Sequence, residues 1–218
     1  MSESEVRQQY DQIAASYDQR WSKYVTDTLS FLKTWAEIPP QANVLDVACG
    51  TGKFEQMVLA ENPRQKVTGV DISENMLAIA QQNCSVYPNA SFHSASVLAL
   101  PFSDCHFDVI VSDSAFHYFD QPQAALIEIK RVLNLDGKVV ILDWCKDYFL
   151  CRICDILLKI FDPAHRQCYT QKELHNLLTD AGFKIHHARK VRFGVVWGLM
   201  VVTAIVERSE MKLEERLP

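Results

Sequence analysis

The sequence predicts an α/β fold: a Rossmann-like, doubly wound seven-stranded sheet, mostly parallel, with one antiparallel strand near its edge and helices on both faces. Three observations predict it. Short apolar runs alternate with helical stretches between residues 43 and 143. The first run ends in Gly50-Thr51-Gly52, a loop that leads directly into a helix. The last two apolar runs are separated by a very short link around Gly194, and so short a link permits only an antiparallel pair.

The elements follow in order. Val6, Tyr10, Ile13, Tyr17, Trp21 and Tyr24 recur three or four apart, which predicts one N-terminal helix or two short ones. A second helical stretch, Thr26 to Trp35, stops before Pro39-Pro40. Asn43–Val47 is the first strand and Gly52–Ala60 the helix after the glycines. Lys66–Asp71 is a strand. Glu74–Asn83 is a helix capped by Ser73, whose hydroxyl can accept from a backbone amide of the first turn. Ala90–Ser94 and Phe107–Ser112 are strands three and four, and Gln123–Leu133 is a helix. Lys138–Asp143 is strand five, after a turn at Asp136-Gly137. Gln171–Ala181 is a helix closed by Gly182. Lys184–Phe193 and Trp197–Val206 are the final strands. The tail from Glu207 to Pro218, with four glutamates and three basic residues, reads as a solvated end.

These elements form one domain. It divides into an N-terminal helical segment (1–40), a core (41–145), a helical insertion (146–183), a terminal strand pair (184–206) and a polar tail (207–218). With 218 residues, 48% of them hydrophobic, the chain can bury a sizeable core. The formal charge of -5 lacks the basic footprint expected for nucleic-acid binding. No run has the length of a membrane span, and the polar, acidic start is unlike a signal peptide. Seven scattered cysteines suit a reducing, cytoplasmic setting. Oligomeric state is left open.

The chemistry concentrates in Val44–Lys53. Glycines there let a backbone approach a ligand at the C-terminal edge of the sheet. The pattern is not G-x-G-x-x-G, because Glu55 stands in the third glycine's place, and it is not a P-loop. Asp46, just before the glycines, would repel a pyrophosphate but attract an ammonium. Asp71, at the end of strand two, can hold both hydroxyls of a ribose. Together these residues describe a nucleoside that carries an amino-acid end.

Val44–Lys53, Val70–Leu77, Leu100-Pro-Phe102 and Phe107–Val111 resemble the motifs of class I methyltransferases. The chain is most similar to the small-molecule enzymes of the ubiquinone/menaquinone C-methyltransferase group. Tyr10–Asp18 resembles that group's N-terminal lid. The resemblance implies S-adenosylmethionine as cofactor, S-adenosylhomocysteine as product, and a small acceptor of apolar, aromatic or quinone-like character. It implies that Asp46, Ala48, Gly50, Thr51 and Gly52 cradle the methionine portion and that Asp71 holds the ribose. Ile72 and Met76 would flank the adenine. Ser96 and Val97 stand where the family contacts the adenine amino group, and Ser96 departs from its commoner acidic choice. Asp113 would meet the methionine end, while Tyr17 and Trp21 would close over the cofactor. Two other classes share these features: a nicotinamide-dependent oxidoreductase, disfavoured by Glu55 and Asp46, and a non-catalytic S-adenosylmethionine-binding regulator.

Methyl transfer from a sulfonium needs positioning more than a base. His117, after strand four, is the candidate catalytic residue, weighed against a histidine that merely shapes the pocket. Asp113, His165 and Tyr169 are lesser candidates. In Asp147–Phe161, Arg152, Asp155 and Lys159 share one stripe and apolar residues cover the rest. Such a helix must be buried, lid a greasy pocket or touch a membrane surface, and the reading taken is a substrate-side lid over an apolar or aromatic acceptor, set against an ordinary buried helix. Cys151-x-x-Cys154 with His165-x-x-Cys168 can be written as a zinc set, but cysteine also acts as a small buried hydrophobe, and no metal is assigned.

Overall fold

The computed structural model describes residues 3–162, 164–194 and 197–207. Its elements in chain order are α1 (Glu3–Ala36), β1 (Asn43–Val47), α2 (Lys53–Glu61), β2 (Lys66–Asp71), α3 (Glu74–Asn83), β3 (Ala90–Ser94) and β4 (Phe107–Asp113). A single 3₁₀ turn follows at Phe116–Tyr118. Then come α4 (Pro122–Val132), β5 (Leu133–Trp144), α5 (Phe149–Phe161), α6 (Gln171–Asp180), β6 (Phe183–Phe193) and β7 (Trp197–Val206). The seven strands form one sheet in the order β3-β2-β1-β4-β5-β7-β6. β7 alone runs against its neighbours, pairing antiparallel with both β5 and β6. The predicted sheet, with one reversed strand beside the edge, is the observed one.

Period-two alternation sends successive residues of each central strand to opposite faces. Leu45, Ile110, Val139 and Ile141 pack with Leu126 and Ile129 of α4 and Leu174 and Leu178 of α6. Val44, Val109, Val140 and Leu142 pack on the other face with Leu29 and Leu32 of α1 and Phe54 and Val58 of α2. Both faces are covered, so the central strands read as nearly continuous apolar runs.

The structure departs from the sequence expectations at three places. The N-terminal region is one helix of 34 residues, because no glycine or proline interrupts 3–36; it ends where Glu37 turns left-handed at φ 42. Asp136-Gly137 lies inside β5 and is not a turn before it. Leu133 pairs with Phe107 and Lys138 with Val109, so the extra residues are absorbed as an irregularity within the ladder. Third, Asp155 of the expected charged stripe of α5 is buried with Cys151, while the apolar residues Phe149, Ile156, Ile160 and Phe161 are exposed. The expected tail falls outside the described residues after Glu207.

Candidate cofactor site

The C-terminal ends of β1, β2 and β4 open onto one cavity, closed from above by α1. Ala48, Gly50, Gly52 and Ser114 all have positive φ in the loops that follow β1 and β4. Left-handed backbone is costly for alanine and serine and persists where the surroundings enforce it, often at ligand sites. A Cβ on Gly50 would meet no atom within 4 Å and would project into open space, whereas one on Gly52 would strike Ala80 of α3 at 2.9 Å. Gly50 therefore serves approach by a ligand, and Gly52 serves close helix packing.

Three side-chain bonds tie α1 over this loop. The Thr51 hydroxyl donates to Asp18 at 2.6 Å, the Ser73 hydroxyl to Asp11 at 2.6 Å, and the Thr28 hydroxyl to Asp113 at 2.9 Å. Ser73 also caps α3 as expected, accepting from the Met76 amide at 3.1 Å. The Asp71 carboxylate accepts from the backbone amides of Gly50 at 2.9 Å and Ser73 at 2.8 Å, which locks the end of β2 to the glycine loop.

Of the residues singled out in the sequence, Tyr17, Ala48, Gly50, Asp71, Ile72, Met76, Val97 and Asp113 line this one cavity. Asp46, Thr51 and Gly52 do not line it. Asp46 is buried beneath the loop, and Thr51 is turned to Asp18. Ser96 does not line it either: its hydroxyl donates to cavity-lining Glu3 at 2.5 Å and accepts from the Leu98 amide. Trp21 lies elsewhere, in a recess with Tyr24 and Trp197. One helical turn carries it about 6 Å along α1 from Tyr17, past the cavity. The sequence reading missed Glu3, Val6, Tyr10, Tyr118 and Phe119, which also line the cavity. Val6 and Tyr10 belong to the same apolar stripe as Tyr17, which was the available signal; Tyr118 and Phe119 directly follow His117.

His117 does not line the cavity. It is 2% exposed. Asp143 holds it twice, through His117 Nδ1 at 2.6 Å and through its backbone amide at 2.8 Å. Its ring stacks on Trp144 at 4.9 Å. The Nε2 atom has no hydrogen-bond partner. The structure thus places the expected reacting group outside the cavity lining, in the turn that leads into cavity-lining Tyr118 and Phe119. Tyr169 packs on Phe116, and His165 bonds to Asp155, so neither reaches the cavity.

The zinc reading is also redrawn. Asp155, His165 and Cys168 bring ligand atoms within 4.8 Å of one another, with Asp155 in the place expected of Cys154. Asp155 accepts from His165 Nε2 at 2.9 Å, the Cys168 amide at 2.6 Å and Lys159 Nζ at 2.9 Å, and Lys146 Nζ lies 3.7 Å away. Two ammonium groups on the carboxylate oppose a dication, and the donor set forms a hydrogen-bonded knot.

The cavity's electrostatics are distinctive. Among the described residues its lining includes the carboxyls of Glu3, Asp71 and Asp113 and no lysine, arginine or histidine. Burial pushes the Asp113 pKa up to about 7, against the lowering by the Thr28 hydroxyl. Burial also raises Asp71, opposed by the amides of Ser73, Gly50 and Ile72. Beneath the loop, burial raises Asp46, with Glu55 adding to the rise, and lifts Glu55 to about 8. Neither Glu55 carboxyl oxygen has a hydrogen-bond partner. A site that keeps carboxyls and excludes basic groups suits a cation and rejects a phosphate. A nucleoside bearing a sulfonium and an ammonium fits it: the open side of Gly50 leaves room for close backbone approach, and Asp71 stands at the strand end with lone pairs to spare for hydroxyls.

Comparison with known proteins agrees with this geometry. The methyltransferase domain family matches residues 38–182. The demethylmenaquinone methyltransferase of Chlorobaculum parvum is 31% identical over 152 residues, 65% of this chain and 61% of that protein. The ubiquinone/menaquinone biosynthesis C-methyltransferase of Shewanella piezotolerans is 30% identical over 176 residues, 72% of this chain and 67% of its own length. The matched region thus spans about two thirds of these relatives or slightly less. A solved SAM dependent methyltransferase from Aquifex aeolicus superposes with a TM-score of 0.62 at 25% identity, covering 80% of this chain and 88% of that one. The chain belongs to the methyltransferase domain family, and S-adenosylmethionine is its cofactor.

Proposed function

We propose that this chain transfers a methyl group from S-adenosylmethionine to a small apolar or aromatic acceptor of quinone-like character, in the cytoplasm. The observation that carries the donor half is the cavity itself, lined by carboxyls and aromatic rings and by no basic side chain. The acceptor half rests on the likeness to the quinone methyltransferases and on the cavity's apolar wall.

When bound, the cofactor supplies a methyl group on a positively charged sulfur. The chain's residues bind, orient and exclude water. Asp71 accepts from the ribose hydroxyls. Ile72, Met76 and Val97 enclose the adenine. Asp46, Thr51 and Gly52 act by holding the loop, so that Ala48 and Gly50 meet the methionine portion with backbone. Tyr10, Tyr17 and Tyr118 offer ring faces, which favour a cation by their quadrupoles. In-line displacement then needs an acceptor held at the methyl, and fixed positioning can supply roughly 7–11 kcal/mol of the barrier. Where the acceptor must lose a proton, Asp113 stands in the cavity with its pKa near 7, matched to that task. His117 is a positioning residue that acts through Tyr118.

The test is a methyl-transfer assay with isotope-labelled S-adenosylmethionine, offering a demethylated naphthoquinol, a catechol and a short aliphatic alcohol. The expected result is label in the naphthoquinol at the highest kcat/KM, lost on Asp113→Asn and rising with pH through about 7. Label in the aliphatic alcohol alone would overturn the acceptor reading.

A further inference from the structure

The apolar side of α5 faces outward. Phe149 is 73% exposed and Phe161 77%, with Ile153, Ile156, Leu157 and Ile160 exposed between them. At 100° per residue these side chains occupy an arc of about 140°. None of them lines the cofactor cavity. Asp155 points the opposite way, into the knot with His165 and Lys159. A soluble surface helix normally buries this arc and exposes its charges. Here the fold spends buried polar contacts to hold the helix the other way round.

Charge says what the face meets. Arg152 and Lys159 are exposed and flank one edge of the arc. The C-terminal half of β6, whose end reaches the start of α5, carries exposed Arg189, Lys190 and Arg192 and no acidic residue. Lys190 and Arg192 reach the start of α5, the first bonding Asp147 at 3.1 Å and the second lying 4.8 Å over the Tyr148 ring. A chain of formal charge -5 thus concentrates cations around its largest exposed apolar helix face. An isologous contact with a second copy would set like-charged flanks against each other. An anionic bilayer surface takes both the apolar arc and its basic border.

We propose that α5 is a membrane-surface helix that lays Phe149, Ile153, Ile156, Ile160 and Phe161 into the acyl boundary of an anionic bilayer, with Arg152, Lys159 and β6 at the headgroups. The far end of α5 adjoins the cavity: Asp162 accepts from Gln9 of α1, one residue before cavity-lining Tyr10. Docking would therefore bring the cavity's rim to the bilayer, where an acceptor of low water solubility is concentrated. The membrane contact goes beyond the acceptor reading and stands without it.

The experiment is co-sedimentation of the full chain with vesicles of pure phosphatidylcholine and of phosphatidylcholine with about a third phosphatidylglycerol. The expected result is pelleting with the anionic vesicles only, reduced by half or more between about 0.1 and 0.5 M salt. The variant Ile156→Ser/Ile160→Ser/Phe161→Ser should bind roughly tenfold or more weaker while keeping S-adenosylhomocysteine affinity within about twofold. The pair Arg152→Gln/Arg192→Gln decides the question if the triple variant does not fold, and should weaken anionic binding alone. Wild-type chain that stays in the supernatant, equal binding to neutral vesicles, or a dimer in light scattering that the triple variant abolishes would each overturn the proposal.

Discussion

Two regions of the molecule bury carboxyls and treat them oppositely. Around the glycine loop, burial raises Asp46, Asp71, Glu55 (to about 8) and Asp113 (to about 7), and among the described residues no lysine or arginine lines the cavity they border. At α5, burial would likewise raise Asp155, but the Cys168 amide, His165 and Lys159 outweigh it and hold the pKa at about 2. Burial acts upward on the carboxyls of both regions, more strongly around the loop, and at α5 the hydrogen-bonding partners reverse it. The loop region leaves its acids without cations and so keeps a place for a cationic ligand. The α5 region supplies its acid with cations from within the chain, and that acid serves the fold.

The largest expected effect breaks the second region. Asp155→Asn leaves Lys146 and Lys159 without their counter-charge and weakens the bonds that His165 and the Cys168 amide donate, and should cost about 3 kcal/mol, since both lysines are partly exposed. Urea unfolding would read this as a lower midpoint, with the slope unchanged. S-adenosylhomocysteine affinity should move far less. Asp71→Asn tests the first region by the reverse pattern. Loss of charge-assisted bonds to two hydroxyls should weaken cofactor binding by about 2–3 kcal/mol, while the free protein should lose only about 1 kcal/mol, because the Asn amide can replace one of the two oxygens that accept from Gly50 and Ser73. If Asp71→Asn unfolds the chain while Asp155→Asn abolishes binding, the comparison is inverted.

A smaller effect concerns pH. Glu55 has a folded pKa of about 8, above its unfolded value of about 4.3. The fold therefore favours the protonated form. This contribution is greatest at low pH and is lost as pH rises from the unfolded value through the folded one. Asp113 acts in the same direction up to about 7. Between pH 6 and pH 8 Glu55 alone should cost the free protein about 2 kcal/mol, and Glu55→Gln should flatten the slope by that much. Bound cofactor should reduce it too, by favouring ionised Asp113. Rising stability across this range would contradict the account of these acids.

Much of the fold was legible because the sheet's apolar runs have sharp ends. Asn43–Val47, Lys66–Asp71, Ala90–Ser94 and Trp197–Val206 are the observed strands, and Glu74–Asn83 the observed helix. The glycine loop and Asp71 were legible because a strand, a loop and an acid at the next strand end leave few geometries. The orientation of α5 was not, since periodicity gives the stripe but not which stripe is inward. Asp155 is drawn in by His165 and Lys146, ten and nine residues away. His117 was misplaced for a related reason: its position after β4 suggested the cavity, but Asp143 on the neighbouring strand captures it. Trp21 continued the stripe of Tyr17, yet that stripe serves the cavity at Tyr17 and the aromatic group around Trp197 at Trp21.

The central claim is that an acid-lined cavity without basic groups selects a nucleoside that carries an ammonium in place of a pyrophosphate. Calorimetric titration of the purified chain with S-adenosylmethionine, S-adenosylhomocysteine and NADH tests it directly. The account predicts micromolar binding of the first two and none of the third. Binding of NADH alone would contradict it, because a pyrophosphate would then sit among Asp71, Asp113 and Glu3.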